Sequence, residues 1–203
     1  SGIEGNILTS QFDRATFSLS MNPSFFDDHF KIALNYNRAF EDNRFADAGQ
    51  VNAALRYDPT QPVYDATSPF GGFYQHLTRT PQGILVNNGT RNPVASLLQN
   101  NNTSNVFRQY GNLKLEYNFH FLPELRFNVN AGFDYEEYEG RYFTDRNAGF
   151  NNNNAGQYPS TGTYNGVNES KLLDFYLNYK KNFDGSLLSG IDMTAGHTYQ
   201  RFY

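Results

Sequence analysis

Tyr57, Asp58, Gln61, Tyr64 and Phe70 fall in one short stretch, YDPTQPVYDATSPF. A carboxylate, an amide and three aromatic rings so close together supply hydrogen-bonding groups beside apolar faces. Sites for small polar ligands, sugars among them, are built from that mixture. These five residues are the candidates for ligand contact. The same groups also suit a loop that folds over a supporting wall and packs there. A second acidic cluster, Glu136, Glu137 and Glu139, has the residue type for glycoside hydrolysis. On a strand, however, neighbouring side chains point to opposite faces, so the cluster reads as a solvated rim. The four histidines, His29, His76, His120 and His197, lack metal-ligand spacing. With no Ser/His/Asp arrangement and no glycine-rich phosphate loop, the sequence offers no catalytic residue, no metal site and no cofactor site. Asn88-Gly89-Thr90 and Asn168-Glu169-Ser170 match a glycosylation sequon.

Composition narrows the class further. The 203 residues are 17% aromatic, with no cysteine and no tryptophan, yet the mean hydropathy is −0.67. Many Phe and Tyr among many polar residues is what a membrane β-barrel needs, because only one face of each strand meets lipid. A soluble β-sandwich has a similar mixture. The net charge of −4, with basic residues scattered, argues against a nucleic-acid binder, which requires a clustered basic surface. Absence of cysteine excludes disulfides and thiolate chemistry. No run of about 18 apolar residues is present, so no helix crosses a membrane. The chain opens SGIEGN without Met and stops at Tyr203 in a strand-like run, which reads as a segment of a longer protein.

The elements that hold the candidate residues show period-two alternation, which predicts strands. The longest such stretch runs from Ser104 to Asp145. Leu113, Leu115, Tyr117, Phe119 and Phe121 share one face, and Asn112, Lys114, Glu116 and Asn118 the other. After the turn HFLPEL, Leu125, Phe127, Val129, Ala131, Phe133 and Tyr135 oppose Arg126, Asn128, Asn130, Asp134 and Glu136. Further strands are predicted at about Phe12 to Met21, Phe30 to Asn43, Leu173 to Phe183 and Leu187 to Gln200. Each keeps its pattern for roughly ten residues, the length a tilted barrel strand needs to cross a bilayer. The fold class is therefore all-β: an antiparallel transmembrane barrel segment of about six long strands in three hairpins.

Short turns close the hairpins: NPSFFDDH at Asn22 to His29, HFLPEL, and the Asp184-Gly185 turn. Long connections join them. The first, Phe45 to about Thr103, contains a helical stretch with Val51 and Leu55 on one side, a proline-bearing loop, a Gly71-Gly72 hinge, and a short helix with Asn92 as N-cap and Pro93 at its first position. The second, Arg146 to Asn168, reads as a polar solvated loop. Short turns at one end and long loops at the other match barrels whose long loops face outward. Aromatics mark both ends. Phe25, Phe26, Phe30, Phe119, Phe121 and Phe183 lie near the short turns; Tyr36, Phe40, Tyr135, Tyr138, Tyr142, Tyr199 and Phe202 lie near the long loops. Such paired belts suit two membrane interfaces. Arg38 interrupts the apolar face where its head can snorkel.

Four segments carry a family likeness: NPSFFDDHFKIALN, NRFADAGQVNAALRYDPTQPVYD, NPVASLLQ and YGNLKLEYNFHFLPELRFNVNAGFDY. In this order they resemble part of the barrel of SusC/RagA-type TonB-dependent outer-membrane transporters. The resemblance implies a bacterial outer-membrane location and transport rather than catalysis. It implies import of glycans or peptides, energy relayed by TonB through a plug region, and a SusD-like surface lipoprotein as lid. The candidate loop residues then become ligand- or lid-contacting positions. Residues 1–203 correspond to a partial barrel domain, with the plug and remaining strands outside them. The rival expectation is a soluble carbohydrate-binding or adhesin-like β domain with a buried two-sheet core.

Overall fold

The computed structural model describes residues 2–83, 85–87, 89–151, 160–183 and 189–203. The Asp184-Gly185 turn, Asn88 and the asparagines at 152–154 lie outside the described residues. Among the described residues, ten strands and two helices follow one another as β1 (Gly2–Glu4), β2 (Gln11–Met21), β3 (Ser24–Phe25), β4 (Phe30–Phe45), α1 (Gly49–Arg56), β5 (Leu77–Arg79), β6 (Leu85–Asn87), α2 (Pro93–Leu98), β7 (Asn100–Asn118), β8 (Leu125–Thr144), β9 (Ser160–Asn182) and β10 (Gly190–Phe202). A short 3-10 turn covers Gly149–Asn151. One sheet takes the order β1-β2-β4-β7-β8-β9-β10, with β3 paired to β4; β5 and β6 form a separate hairpin. The six long strands β2, β4, β7, β8, β9 and β10 form the three hairpins expected from the alternation.

Three boundaries differ from the expectation. β7 begins at Asn100, not beyond Thr103, and β8 and β9 reach 20 and 23 residues. β7, β8 and β9 therefore run about twice the roughly ten residues that a bilayer requires. The connection expected to be a solvated loop through Asn168 is strand from Ser160 onward. The cause is local chemistry. In NNNTSN and STGTYNGVN both faces are polar, so alternation leaves no hydropathy contrast to read. The sixth strand begins at Gly190, after Ser189; Leu187, its expected start, lies outside the described residues.

Contact density separates two compact units. One contains Ser1–Arg14, Glu41–Asn105 and Glu139–Asn165; the other contains Ala15–Phe40, Val106–Tyr138 and Gly166–Tyr203. In the second unit the two faces of the sheet differ as the alternation predicts. The polar face is laced by cross-strand hydrogen bonds. Ser18 donates to Asn37 at 2.7 Å and Ser20 to Asn35 at 2.9 Å, and Asn35 passes its own donor to Asn112 at 3.3 Å. Arg108 forks onto Asp134, with Nε to Oδ1 at 3.0 Å and Nη2 to Oδ2 at 2.6 Å. Arg126 donates to Asn118 at 3.0 Å, and Asn130 to Asp174 at 3.3 Å.

The opposite face is apolar and open. Phe17, Leu19, Met21, Leu113, Phe133, Leu173, Phe175 and Leu177 are all exposed on it. Among the described residues no second sheet covers this face, contrary to the soluble sandwich alternative. Side chains of this kind remain uncovered where lipid is the neighbour. Asn128 is an exception on the polar face: it is only 3% exposed, so that face is not uniformly roomy.

Aromatic rings link the short turns. Phe25 meets Phe30 at 6.3 Å, Phe30 meets Tyr117 at 6.4 Å, and Phe119 meets Tyr117 and Phe121 at 5.2 and 5.3 Å. The first turn is not a simple Asn-Pro turn. Phe26, Asp27 and Asp28 are all left-handed, with φ of 56°, 53° and 66°. Aspartate tolerates that region better than phenylalanine does. At the far end of this unit, Phe40, Phe107 and Tyr135 form a second ring chain, at 5.4 and 6.3 Å. Tyr138 and Tyr142, expected in that belt, lie on the opposite face by parity. There they fill space left by glycines: Tyr138 sits where a side chain on Gly166 would go, and Tyr142 does the same at Gly162.

Candidate functional site

The candidate residues belong to the first unit, in the connection between β4 and β7. α1 begins without a side-chain cap at Ala48. Asp47 serves instead, accepting from the Gly49 backbone at 2.8 Å and from Gln50 Nε2 at 2.7 Å. A carboxylate at a helix start also meets the positive end of the helix dipole. Val51 and Leu55 are one helical turn apart, so they share a side, and both are exposed, Leu55 by 83%. Helix α1 packs against α2.

Beyond α1 the prolines keep the chain extended or turned, and two aspartates fold it into matched turns. Asp58 Oδ1 accepts from the Thr60 amide at 2.9 Å and its hydroxyl at 2.7 Å. Asp65 Oδ1 repeats this on Thr67, at 2.9 and 2.6 Å. These bonds favour the ionised acids. Asp58 is held below its ordinary pKa, first by the Thr60 amide and then by its hydroxyl; Asp65 is lowered first by the Thr67 hydroxyl. Tyr57 is shifted the other way, raised by partial burial and by Tyr74 and Asp58. Its hydroxyl donates to the Pro62 carbonyl at 2.9 Å.

One amide ties the loop together. Asn92 is 1% exposed. As the N-cap of α2, its Oδ1 accepts from the Val94 and Ala95 amides, both at 3.1 Å. Its Nδ2 donates to the Val63 carbonyl at 2.7 Å and the Tyr74 carbonyl at 3.1 Å. Two donors and two acceptor sites are all that an asparagine side chain has, and all are used. A capping residue thereby also pins two distant turns of the loop. At the other end of α2, Gln99 Nε2 donates to the Phe70 carbonyl at 3.0 Å, and the Gln99 carbonyl accepts from the Asp145 amide at 2.8 Å. Gln99 Oε1 and Gln75 Nε2, both buried, have no protein partner among the described residues.

The five candidate positions separate into three groups. Tyr57, Asp58 and Gln61 share one turn, with Gln61 reaching Thr60 Oγ1 at 3.4 Å. Tyr64 is 64% exposed and pairs its ring with Phe73 at 5.5 Å, which gives the loop an open aromatic surface. Phe70 is 5% exposed and belongs to the small core of this unit with Ala95 and Ala148. Its ring lies close under Gly149, where a Cβ would come within 2.9 Å of Phe70 Cγ. The left-handed Gly71 and Gly72, with φ of 70° and 81°, turn the chain away immediately after it. Phe70 therefore supports the loop from within and presents no ring outward.

Sequence reasoning missed Phe73, Gln75 and Gln99, which carry no local signal because their partners are distant in the chain. It also missed the tyrosine–glycine interlock of the first unit. Tyr142 fills the space over Gly162, and Tyr164 does so over Gly140. Tyr164 further donates to Asn102 Oδ1 at 3.0 Å. The signal was present as glycines and tyrosines at alternate positions in YEGRY and GTYNG. Among the described residues no group of three metal-ligating side chains forms.

The chain matches no family model. It is 38% identical over 144 residues to the TonB-dependent receptor SusC of Bacteroides thetaiotaomicron. The match covers 66% of this chain and 14% of that receptor, so the chain spans a small part of the relative's length. The long antiparallel strands, the uncovered apolar face and this degree of identity together identify the chain as an outer-membrane β-barrel segment of the SusC type of TonB-dependent receptor.

Proposed function

We propose that the protein containing this segment takes up nutrients across the outer membrane in a TonB-dependent manner, importing glycans or peptides beneath a SusD-like lipoprotein lid. The observation that carries this reading is the 38% identity to SusC over 144 residues. We place residues 1–203 in the barrel domain, with the plug that engages TonB elsewhere in the parent protein. The function is transport rather than catalysis. The loop between β4 and β7 supports the reading chemically. It carries an exposed Tyr64–Phe73 surface, the turn of Tyr57, Asp58 and Gln61, and the exposed side of α1 at Val51 and Leu55. We assign Tyr57, Asp58, Gln61 and Tyr64 to contact with cargo or lid, and Phe70 to support behind them.

Deleting the parent gene and growing the strain on single glycans or peptides as carbon source tests this. Growth on at least one should fail, and should return with the intact gene but not in a strain lacking TonB. Unchanged growth on every substrate would overturn the proposal. The lid assignment predicts that a surface lipoprotein co-purifies with the full-length receptor and is lost with Leu55→Glu. Retention of that lipoprotein by the variant removes α1 from the interface.

A further inference from the structure

The apolar face of the second unit carries Arg38, a cation with no carboxylate partner among the described residues. Arg38 follows Ile32, Leu34 and Tyr36 at alternate positions of β4, so it points to the same side as they do. Its guanidinium lies 4.7 Å from the ring centroids of both Phe40 and Phe107. Two rings hold the cation and restrict its rotamers. Neither ring offers an oxygen acceptor. Among the described residues no carboxylate or carbonyl receives a bond from Arg38, so its five N–H donors stay available.

The neighbours add donors. Tyr36 OH donates to Gln109 Oε1 at 3.2 Å, which commits the Gln109 oxygen and leaves its amide NH2 to give. Tyr135, ringed against Phe107, donates its hydroxyl to Glu137 at 3.1 Å, and that carboxylate makes no bond to Arg38. On β9 and β10, Lys171 and Arg201 pair across the strands on the same apolar face. Glu169 is bonded to Lys171 at 2.5 Å, and the exposed Glu137 of β8 lies on the same face by parity. A guanidinium with no carboxylate partner of its own on a lipid-turned face, at the ring chain that bounds the apolar band, matches an anionic headgroup whose acyl chains lie along the band.

We propose that Arg38, clamped by Phe40 and Phe107 and assisted by Gln109, binds the phosphate of an anionic lipid in the outer leaflet. This rests on the proposed outward direction of the long connections, but not on any substrate being imported. The guanidinium fork suits phosphate oxygens better than an ammonium does.

The test uses the full-length receptor in nanodiscs of phosphatidylethanolamine doped with a diphosphorylated lipid A or with its dephosphorylated form. Retained lipid is read by native mass spectrometry. The wild-type protein should retain the phosphorylated form preferentially. Arg38→Ala should weaken that retention about tenfold, the loss of one charge-assisted contact, with Arg38→Lys intermediate and uptake unchanged. Equal retention of both lipids by wild type overturns the proposal whether or not any variant folds. Equal retention by wild type and a heat-modifiable, folded Arg38→Ala also overturns it. Full displacement by inorganic phosphate would show a generic anion site and remove the lipid assignment. Loss of uptake with lipid preference intact would count against the transport reading alone.

Discussion

The ring of Tyr164 occupies the space that a side chain at Gly140 would need. The two residues face each other across β8 and β9, and the next pair along reverses the roles, with Tyr142 over Gly162. Each glycine leaves a gap in the sheet surface, and each tyrosine from the opposite strand fills it.

Gly140→Val should therefore displace Tyr164 and break its 3.0 Å bond to Asn102. Overpacking of this kind costs about 1–3 kcal/mol. Thermal unfolding of the full-length protein, followed by its heat-modifiable gel migration, should show a lower midpoint. Pairing Gly140→Val with Tyr164→Gly should recover part of the loss, since the cavity and the intruding side chain then coincide. No recovery in the double variant would mean that the ring and the glycine are not coupled.

Asn92→Ala removes a cap worth about 0.5–2 kcal/mol, takes the side-chain donor from the Tyr74 carbonyl, and leaves the Val63 carbonyl with only the Tyr74 amide. Hydrogen exchange should rise across 57–76 and in α2, while β7 and β8 keep their protection. An effect confined to α2 would show that the cap is the whole role of Asn92 and that the loop is held by other means.

Acidification should open the two aspartate turns. Asp58 and Asp65 titrate lower in the folded chain than their ordinary value. Their stabilising contribution is complete above the unfolded carboxylate pKa and fades as pH falls through the depressed folded values. Intrinsic-rate-corrected amide exchange at Thr60 and Thr67 should accelerate only in that acidic window. Asp58→Asn keeps the acceptor oxygen and should make Thr60 indifferent to pH. An identical acid response in wild type and Asp58→Asn would refute the assignment.

Charge should discriminate the two faces of the sheet. Leu115→Arg places a cation on the apolar face and should cost about 2–4 kcal/mol near the bilayer midplane. Ser18→Arg, at an exposed position on the polar face, should cost far less. Asn128, polar by pattern, is the wrong control because its burial leaves no room for an arginine. Folding yields into vesicles that are equal for Leu115→Arg and Ser18→Arg would count against lipid contact.

How much of this was legible from the amino acids depended on contrast. Leu113 to Phe121 and Leu125 to Tyr135 announced their strands because one side is apolar and the other polar. Asn100 to Asn105 and Ser160 to Asn168 continue the same strands with polar residues on both sides, so the pattern fell silent while the hydrogen bonding went on. Asn92 was readable as a cap from the Asn-Pro pair beside it. Its hold on Val63 and Tyr74 was not, because those contacts depend on how a long connection folds back. Phe70 shows the same limit: an aromatic in a polar loop looks like a ligand contact until the packing shows it buried beneath Gly149.

Asn92 has no bonding capacity to spare, and that shapes how the connection between β4 and β7 can respond to whatever touches it. A side chain already serving four partners cannot take up an incoming molecule without giving up one of those bonds. The loop should therefore behave as a bracket fixed at its centre. Any yielding under load would have to come from the left-handed pair Gly71 and Gly72, leaving the Tyr64–Phe73 surface at a constant height above its anchor.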